Sequence, residues 1–339
     1  MQKSARKVLG VAFCVLVVAF LLHVGIGSYA WVKPWDVVAH IFHGHSGNDS
    51  VNDIIWNSRL PRAIEAGLVG AILGVSGSAL QTLFRNQIAE PYVVGSSSGA
   101  AIGAVFIMLF AKKQEWDKGV FSSLIVTLGM PGAGFITGML TLMLVMSLAR
   151  RRGVIETTTL LLAGIVVATM LSSLLTFMIL YYGESQIVVL RFMLGSFDTA
   201  RWPSIYLMAG VFVIAYVVLH RSTQRLNAMS LGEDGAHALG VDPVALRRVV
   251  LICVTAMTSV TVGAVGVIGF VGLVAPHIAR RLVGSDLRTT LPLSAILGSL
   301  LMLIADAIAQ RGMQGAGFPV GIVTAIVGAP VLLFLLKRR

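Results

Sequence analysis

Two acids, Glu65 and Asp306, stand inside otherwise apolar stretches of the chain. A carboxylate in hydrocarbon is costly, so such groups are paired, hydrogen-bonded or used to carry protons. Glu65 follows Arg62 by three residues, one helical turn, which allows a local ion pair. Asp306 has Gln310 four residues on and Arg311 next. Two carboxylates are few for a proton pathway, and hydrogen bonding near helix ends accounts for them more simply. His40, His43 and His45 could hold a metal, with Asp49 nearby, but no cysteine or spaced carboxylate completes a ligand set and a polar loop is the simpler reading. Cys14 and Cys253 sit in apolar runs and read as small core residues. Ser96-Ser97-Ser98-Gly99 reads as a helix start, where hydroxyls cap free amides, and nothing marks a nucleophile there. The sequence holds no Walker A loop, no His-Glu-x-x-His pair and no Gly-x-Ser-x-Gly elbow. The expectation is a chain that is not an enzyme, with no cofactor and no metal.

The elements that carry these residues are apolar throughout. Of 339 residues, 56% are apolar and 12% charged, with a mean hydropathy of +0.87. That charged share is about half the usual soluble value, too little for a solvated shell. An ordinary cytosolic enzyme, a disordered chain and a nucleic-acid-binding domain are excluded. A membrane-crossing helix needs about 20 apolar residues. Ten stretches qualify or nearly so: 8–29, 61–83, 93–111, 121–149, 154–182, 203–220, 247–268, 270–283, 290–310 and 319–336. The stretch 270–283 is too short to span alone and could be re-entrant. The first stretch follows Lys3, Arg6 and Lys7 as a signal peptide would, but its length predicts a retained helix.

Net charge is +11, and the positions of the basic residues give it meaning. With the N-terminus inside and spans alternating, 17 Lys and Arg fall in cytoplasmic segments and 9 in outer ones. This predicts both termini inside and explains the basic surplus as topology, not affinity for nucleic acid. The outer connection 30–60 carries Trp31, Trp35 and Trp56, suited to an interfacial belt. The inner connection 221–246 reads as two short helices broken at Gly232-Glu233-Asp234-Gly235. Too polar for the bilayer, it predicts a docking surface for a cytoplasmic partner. Gly67, Gly70, Gly74 and Gly77 share one helix face, a stripe that lets helices approach closely in lipid. Gly263, Gly266, Gly269 and Gly272 drift around a helix and predict a helix end and tight turn near Gly269.

Residues 59–104, RLPRAIEAGLVGAILGVSGSALQTLFRNQIAEPYVVGSSSGAAIGA, resemble the signature of FecCD-like permeases, the iron-siderophore, haem and vitamin B12 group of ABC importers. The likeness continues in GEDGAHALGVD at 232–242, GVIGFVGLVAPHIARRLVGSD at 266–286, LIADAIAQ at 303–310 and FPVGIVTAIVGAPVLLFLL at 318–336. The resemblance implies an all-α integral membrane protein of ten transmembrane helices, a type II ABC importer permease forming one domain over 1–339. It implies a second permease copy or paralogue, two cytoplasmic ABC ATPase subunits and a periplasmic or surface substrate-binding protein.

Roles follow position by position from that resemblance. Arg59 and Arg62 match arginines that receive acidic residues of the binding protein; Gln310 stands where a third arginine usually follows, with Arg311 one later. Asn86 and Ile88 match the turn that forms the cytoplasmic gate, with Gln87 in place of the usual proline, which predicts a less rigid turn. Gly232, Gly235, Ala236, Leu239 and Gly240 fall in the ATPase-coupling loop. Arg191, where many relatives carry an aromatic residue, could face an anionic ligand or water. Thr157, Thr158, Thr159, Ser172, Ser173 and Thr176 are candidates to line the path, or to make helix–helix hydrogen bonds. The expected function is ATP-driven import of an iron chelate, ferric siderophore or haem, in the cell membrane, with vitamin B12 as the alternative. An ion-driven secondary transporter would have Glu65 and Asp306 as its only intramembrane acids and would leave the docking loop unexplained.

Overall fold

A computed structural model describes residues 2–25, 53–92, 95–113, 120–151, 154–181, 186–312 and 318–337. His40, His43, His45, Asp49, Trp31 and Trp35 lie outside the described residues. The helices, in chain order, are α1 (Gln2–Gly25), α2 (Leu60–Leu83), α3 (Ser96–Lys113), α4 (Val120–Leu148), α5 (Thr157–Tyr181), α6 (Gln186–Met193) and α7 (Trp202–Arg221). They continue as α8 (Thr223–Met229), α9 (Glu233–Ala238), α10 (Pro243–Val265), α11 (Val271–Val283), α12 (Leu287–Arg311) and α13 (Val320–Lys337). A π-helical turn, Ile55–Arg59, leads into α2, and Pro61 occupies its first turn, where a missing N–H costs nothing. One short antiparallel ladder, Arg150–Arg151 with Val154–Ile155, joins α4 to α5.

Each of the ten apolar stretches overlaps one of these helices. Among the described residues, seven helices are long and apolar enough to cross a membrane, and two shorter apolar helices accompany them. The short helix α6, after α5, was not visible as a separate unit in the apolar pattern.

The centre of the bundle is α2 packed on α12, with α10, α11 and α7 around it. Glycine sets that pairing. A Cβ on Gly70 would collide with the Gly298 carbonyl and one on Gly74 with that of Ser294, both on α12, while one on Gly77 would meet the Gly272 carbonyl of α11. Gly67 does not share this crowding; there Ser299 Oγ donates to the Gly67 carbonyl at 2.7 Å. The stripe therefore works over three of its four members. Small residues let two backbones touch, and dispersion contacts hold helices that hydrophobicity alone does not drive together in lipid.

The second glycine series marks a break. Helix α10 ends at Val265, Gly266 takes φ of +81°, and the chain is non-helical until α11 starts at Val271. Phe270 has φ of +69°, strained for a side-chain-bearing residue. Non-helical backbone at membrane depth is tolerated when protein surrounds it. Here Ser196 N–H donates to the Val265 carbonyl at 2.9 Å, and Glu90 accepts from Phe270 N–H at 3.0 Å.

Cys253 is buried as expected, but Cys14 is exposed on the outer face of α1. An apolar neighbourhood in sequence does not distinguish a lipid-facing position from a core one.

Candidate functional site

At the predicted outer end, the start of α2 meets the end of α12, and a buried polar cluster forms between them. Asp306 is fully buried. Its Oδ2 accepts from Arg62 Nε at 2.9 Å and its Oδ1 from Arg62 Nη2 at 2.8 Å, a bidentate pair. Gln310 Nε2 donates to Oδ2 at 2.8 Å, and His23 Nε2 of α1 lies 2.9 Å from the same oxygen. Arg62 also donates through Nη1 to Asp198 at 2.8 Å. Four donors around one carboxylate offset the cost of taking its charge out of water. Three helices and the connection before α7 are thereby tied at one point.

This corrects the local pair expected from spacing. Arg62 bonds to Asp306 and Asp198, while buried Glu65 accepts from Ser204 Oγ of α7 at 3.2 Å. Helical spacing permits a contact one turn away, but a better-placed bidentate acceptor on α12 claims the guanidinium. Arg59 Nη1 donates to the carbonyls of Val24 at 3.4 Å and Gly25 at 3.2 Å, so it caps the last turn of α1. Arg311 is exposed beside His23 along a groove between α1 and α12. The three arginines singled out by sequence thus share one end of the molecule, with Arg62 engaged, Arg59 partly so and Arg311 at the surface.

At the opposite end, α2 runs into a tight turn. Asn86 N–H donates to the Gln81 carbonyl at 3.0 Å, and Asn86 Oδ1 accepts from Ile88 N–H at 3.0 Å. This side-chain turn braces the backbone around Gln87. Ile88 stands 52% exposed on its tip.

The polar connection after α7 forms the two expected short helices, α8 and α9. Gly232 takes φ of +102° and starts α9; Gly240 takes φ of +75° and follows it. Leu231 and Leu239 are 68% and 62% exposed, the two large apolar side chains that this connection leaves open. Ala236, in contrast, is completely buried and packs inside the loop. Arg247 at the start of α10, also buried, pairs with Glu233 and holds α9 against the bundle.

On α5, Ser172, Ser173 and Thr176 are exposed, as is Thr169. Their spacing places all four on one face. Thr169, Ser173 and Thr176 donate back to carbonyls four residues earlier, and Ser172 meets Ser98 of α3 at 3.3 Å. Thr157 lies at the other end of α5 and is partly buried. Ser96 starts α3, but its buried hydroxyl caps nothing among the described residues. Arg191 is exposed at the end of α6. Among the described residues no cluster of His, Cys, Asp and Glu could hold a metal ion.

Sequence reasoning missed His23, Asp198, Ser204, Gln81 and Glu90. Each is polar, at a helix end or in a connection, but its partner is more than 100 residues away in every case. A polar residue in or beside an apolar run was the only available signal.

A multi-pass helical bundle with a tight turn at one end, a polar cluster at the other and a structured polar loop between spans is the architecture of a membrane transport protein. Residues 15–338 match the FecCD transport family, and the chain belongs to it. It is 35% identical to the cobalamin import system permease protein BtuC of Halobacterium salinarum over 84% of this chain and 74% of that one. It is 33% identical to the Fe(3+)-citrate import system permease protein YfmE of Bacillus subtilis, covering 99% and 97%. It is also 33% identical to the vitamin B12 import system permease protein BtuC of Salmonella typhi, covering 99% and 96%. A solved structure described as an inward-facing conformation of a proposed metal-chelate type ABC transporter superposes with a TM-score of 0.83 at 28% identity, over 98% of this chain and 100% of that one. The protein is a multi-pass membrane protein of the import-permease class.

Proposed function

We propose that the chain is the permease subunit of an ATP-driven importer for an iron chelate, ferric siderophore or haem. The single observation that carries this is likeness along the whole chain to a metal-chelate type transporter. Nucleotide chemistry then belongs to a separate ATPase, docked on the α8–α9 connection, where Leu231 and Leu239 offer exposed apolar anchors. Two copies, or this chain and a paralogue, enclose the path, with Ile88 from each meeting near the axis and the hydroxyl face of α5 turned toward the substrate. A large chelate needs a wide, weakly polar route, and that face suits one. Both termini lie in the cytoplasm. A substrate-binding protein docks at the outer end, where Arg59 and Arg311 supply positive charge and Arg62 sets the helix ends that present it.

Cobalamin is the second reading, supported by the relative from Halobacterium salinarum. The test is uptake into proteoliposomes holding the permease with its ATPase and binding protein. Import of a ferric chelate that requires both proteins and ATP is the expected result. Uptake driven by an ion gradient without ATP would replace this reading with a secondary carrier. ATP-dependent uptake of cobalamin, but of no ferric chelate, would select the alternative.

A further inference from the structure

The gate turn and the docking loop are separate features of the surface, yet a continuous run of hydrogen bonds joins them through α11. At the loop end, Asn227 of α8 donates through Nδ2 to Asp286 Oδ1 at 2.7 Å and accepts from Leu287 N–H through Oδ1 at 3.0 Å. Asp286 caps α12 by accepting from Arg288 N–H at 3.0 Å. Thr290 Oγ1 donates to the Gly284 carbonyl at 2.8 Å, closing the turn that ends α11. Asn227 therefore grips a stiff corner and not a loose loop.

At the other end, Glu90 lies two residues beyond Ile88. Its Oε1 accepts from Phe270 N–H at 3.0 Å, at the residue with the strained φ immediately before α11. That amide would otherwise be an unmatched donor at the open end of a helix. Gln81, in the last turn of α2, donates to the Gly272 carbonyl at 3.0 Å and accepts from Arg280 of α11. The two ends of the gate turn thus both hold α11. Arg85, in the turn itself, has Nη1 only 3.3 Å from where a Cβ on Gly232 would stand.

We propose that Glu90 is the positioning residue that ties the gate turn to α11, and that α11 transmits motion of the ATPase-docking loop to Ile88. A helix of 13 residues is about 20 Å long and reaches from that corner to the gate turn. Its corner is gripped by Asn227 and its start by Glu90. Displacement of α8 then reaches the gate through α11 and through the ends of α12 and α2 that are bonded to it. Burial pushes the Glu90 carboxyl above its ordinary range, the Phe270 N–H acting the other way. A neutral acceptor in the same place should accordingly serve.

The proposal rests on the permease reading, and the experiment separates the two. Wild-type permease, Glu90→Leu and Glu90→Gln are assembled with ATPase and binding protein in proteoliposomes, and chelate moved per ATP hydrolysed is measured. Glu90→Leu should lower that ratio roughly tenfold while ATP hydrolysis persists, and Glu90→Gln, which keeps an oxygen acceptor, should restore it. In an Ile88→Cys background, crosslinking between copies should depend on nucleotide in the wild type and lose that dependence in Glu90→Leu. Should Glu90→Leu fail to assemble, Asn227→Ala, at the far end of α11, should give the same loss of ratio. An unchanged ratio in either variant, or a Glu90→Gln as defective as Glu90→Leu, overturns the proposal. Absence of ATP-driven uptake by the wild type instead overturns the permease reading.

Discussion

The carboxylate of Asp306 illustrates how one side chain sets the worth of its neighbours. Fully buried, it is held by Arg62, His23 and Gln310, whose side chains converge from three helices. Removing one partner of a buried pair leaves an uncompensated charge, which costs about 3 kcal/mol or more. Arg62→Ala should lower the melting temperature of the detergent-purified permease, and Asp306→Ala should do so as well. The double variant should lose less than the sum of the two, because each removes the same bond. Additive losses would show that the pair contributes nothing jointly. Arg59 has a different role, capping α1 through two carbonyls while remaining partly accessible. Exposed charge pairs are worth roughly 0–1 kcal/mol and act mainly through encounter rates. If a binding protein docks here through acidic groups, Arg59→Glu should weaken its association at low salt more than Arg59→Ala, because repulsion adds to the lost pair. Equal affinity for both variants at low salt would place docking elsewhere.

Between elements, glycine and a single exposed leucine pair decide what can move and what can bind. At Gly74 a side chain would have to displace the α12 backbone, not a flexible neighbour. Gly74→Val should therefore destabilise the bundle by roughly 1–3 kcal/mol, read as an earlier thermal transition. Gly67→Ala, where no atom lies within 4 Å of a new Cβ, should leave it unchanged. In the α8–α9 connection, burial reverses the most obvious experiment. A charge at position 236 would land in packing, since Ala236 has no exposed surface, so Ala236→Arg should disrupt the loop itself. Leu239→Glu tests docking cleanly: it should reduce copurification of the ATPase while the permease keeps its thermal transition. Retained copurification would remove Leu239 from the docking face.

At the scale of the whole molecule, the two ends differ in how they are held. The predicted outer end is pinned by charge and hydrogen bonds around buried Asp306, whereas the predicted inner end offers Ile88, half exposed on the tip of a turn. A gate must be drawn from the less firmly tied part of a structure. A cysteine at position 88 should crosslink between permease copies in at least one nucleotide state. No crosslinking in any state would take Ile88 off the axis. Many apolar side chains of α5 and α7 are exposed on the single chain, among them Met170, Phe177, Tyr206 and Ile214, as lipid or a second copy requires.

The amino-acid sequence alone determined the class of the protein. Twenty-residue apolar runs, their number and the placement of arginine follow from the thickness and polarity of a bilayer, and these act on composition one segment at a time. The break near Gly269 and the paired helices after α7 were legible for the same reason, because glycine and polarity punctuate a chain locally. Partner choice was not. Arg62 prefers Asp306 over Glu65, Ala236 turns inward while Leu239 turns out, and Glu90 reaches Phe270 across 180 residues. Each of these depends on which helices touch and at what rotation. Close packing at glycine settles that across the bundle, and no periodicity within one segment records it.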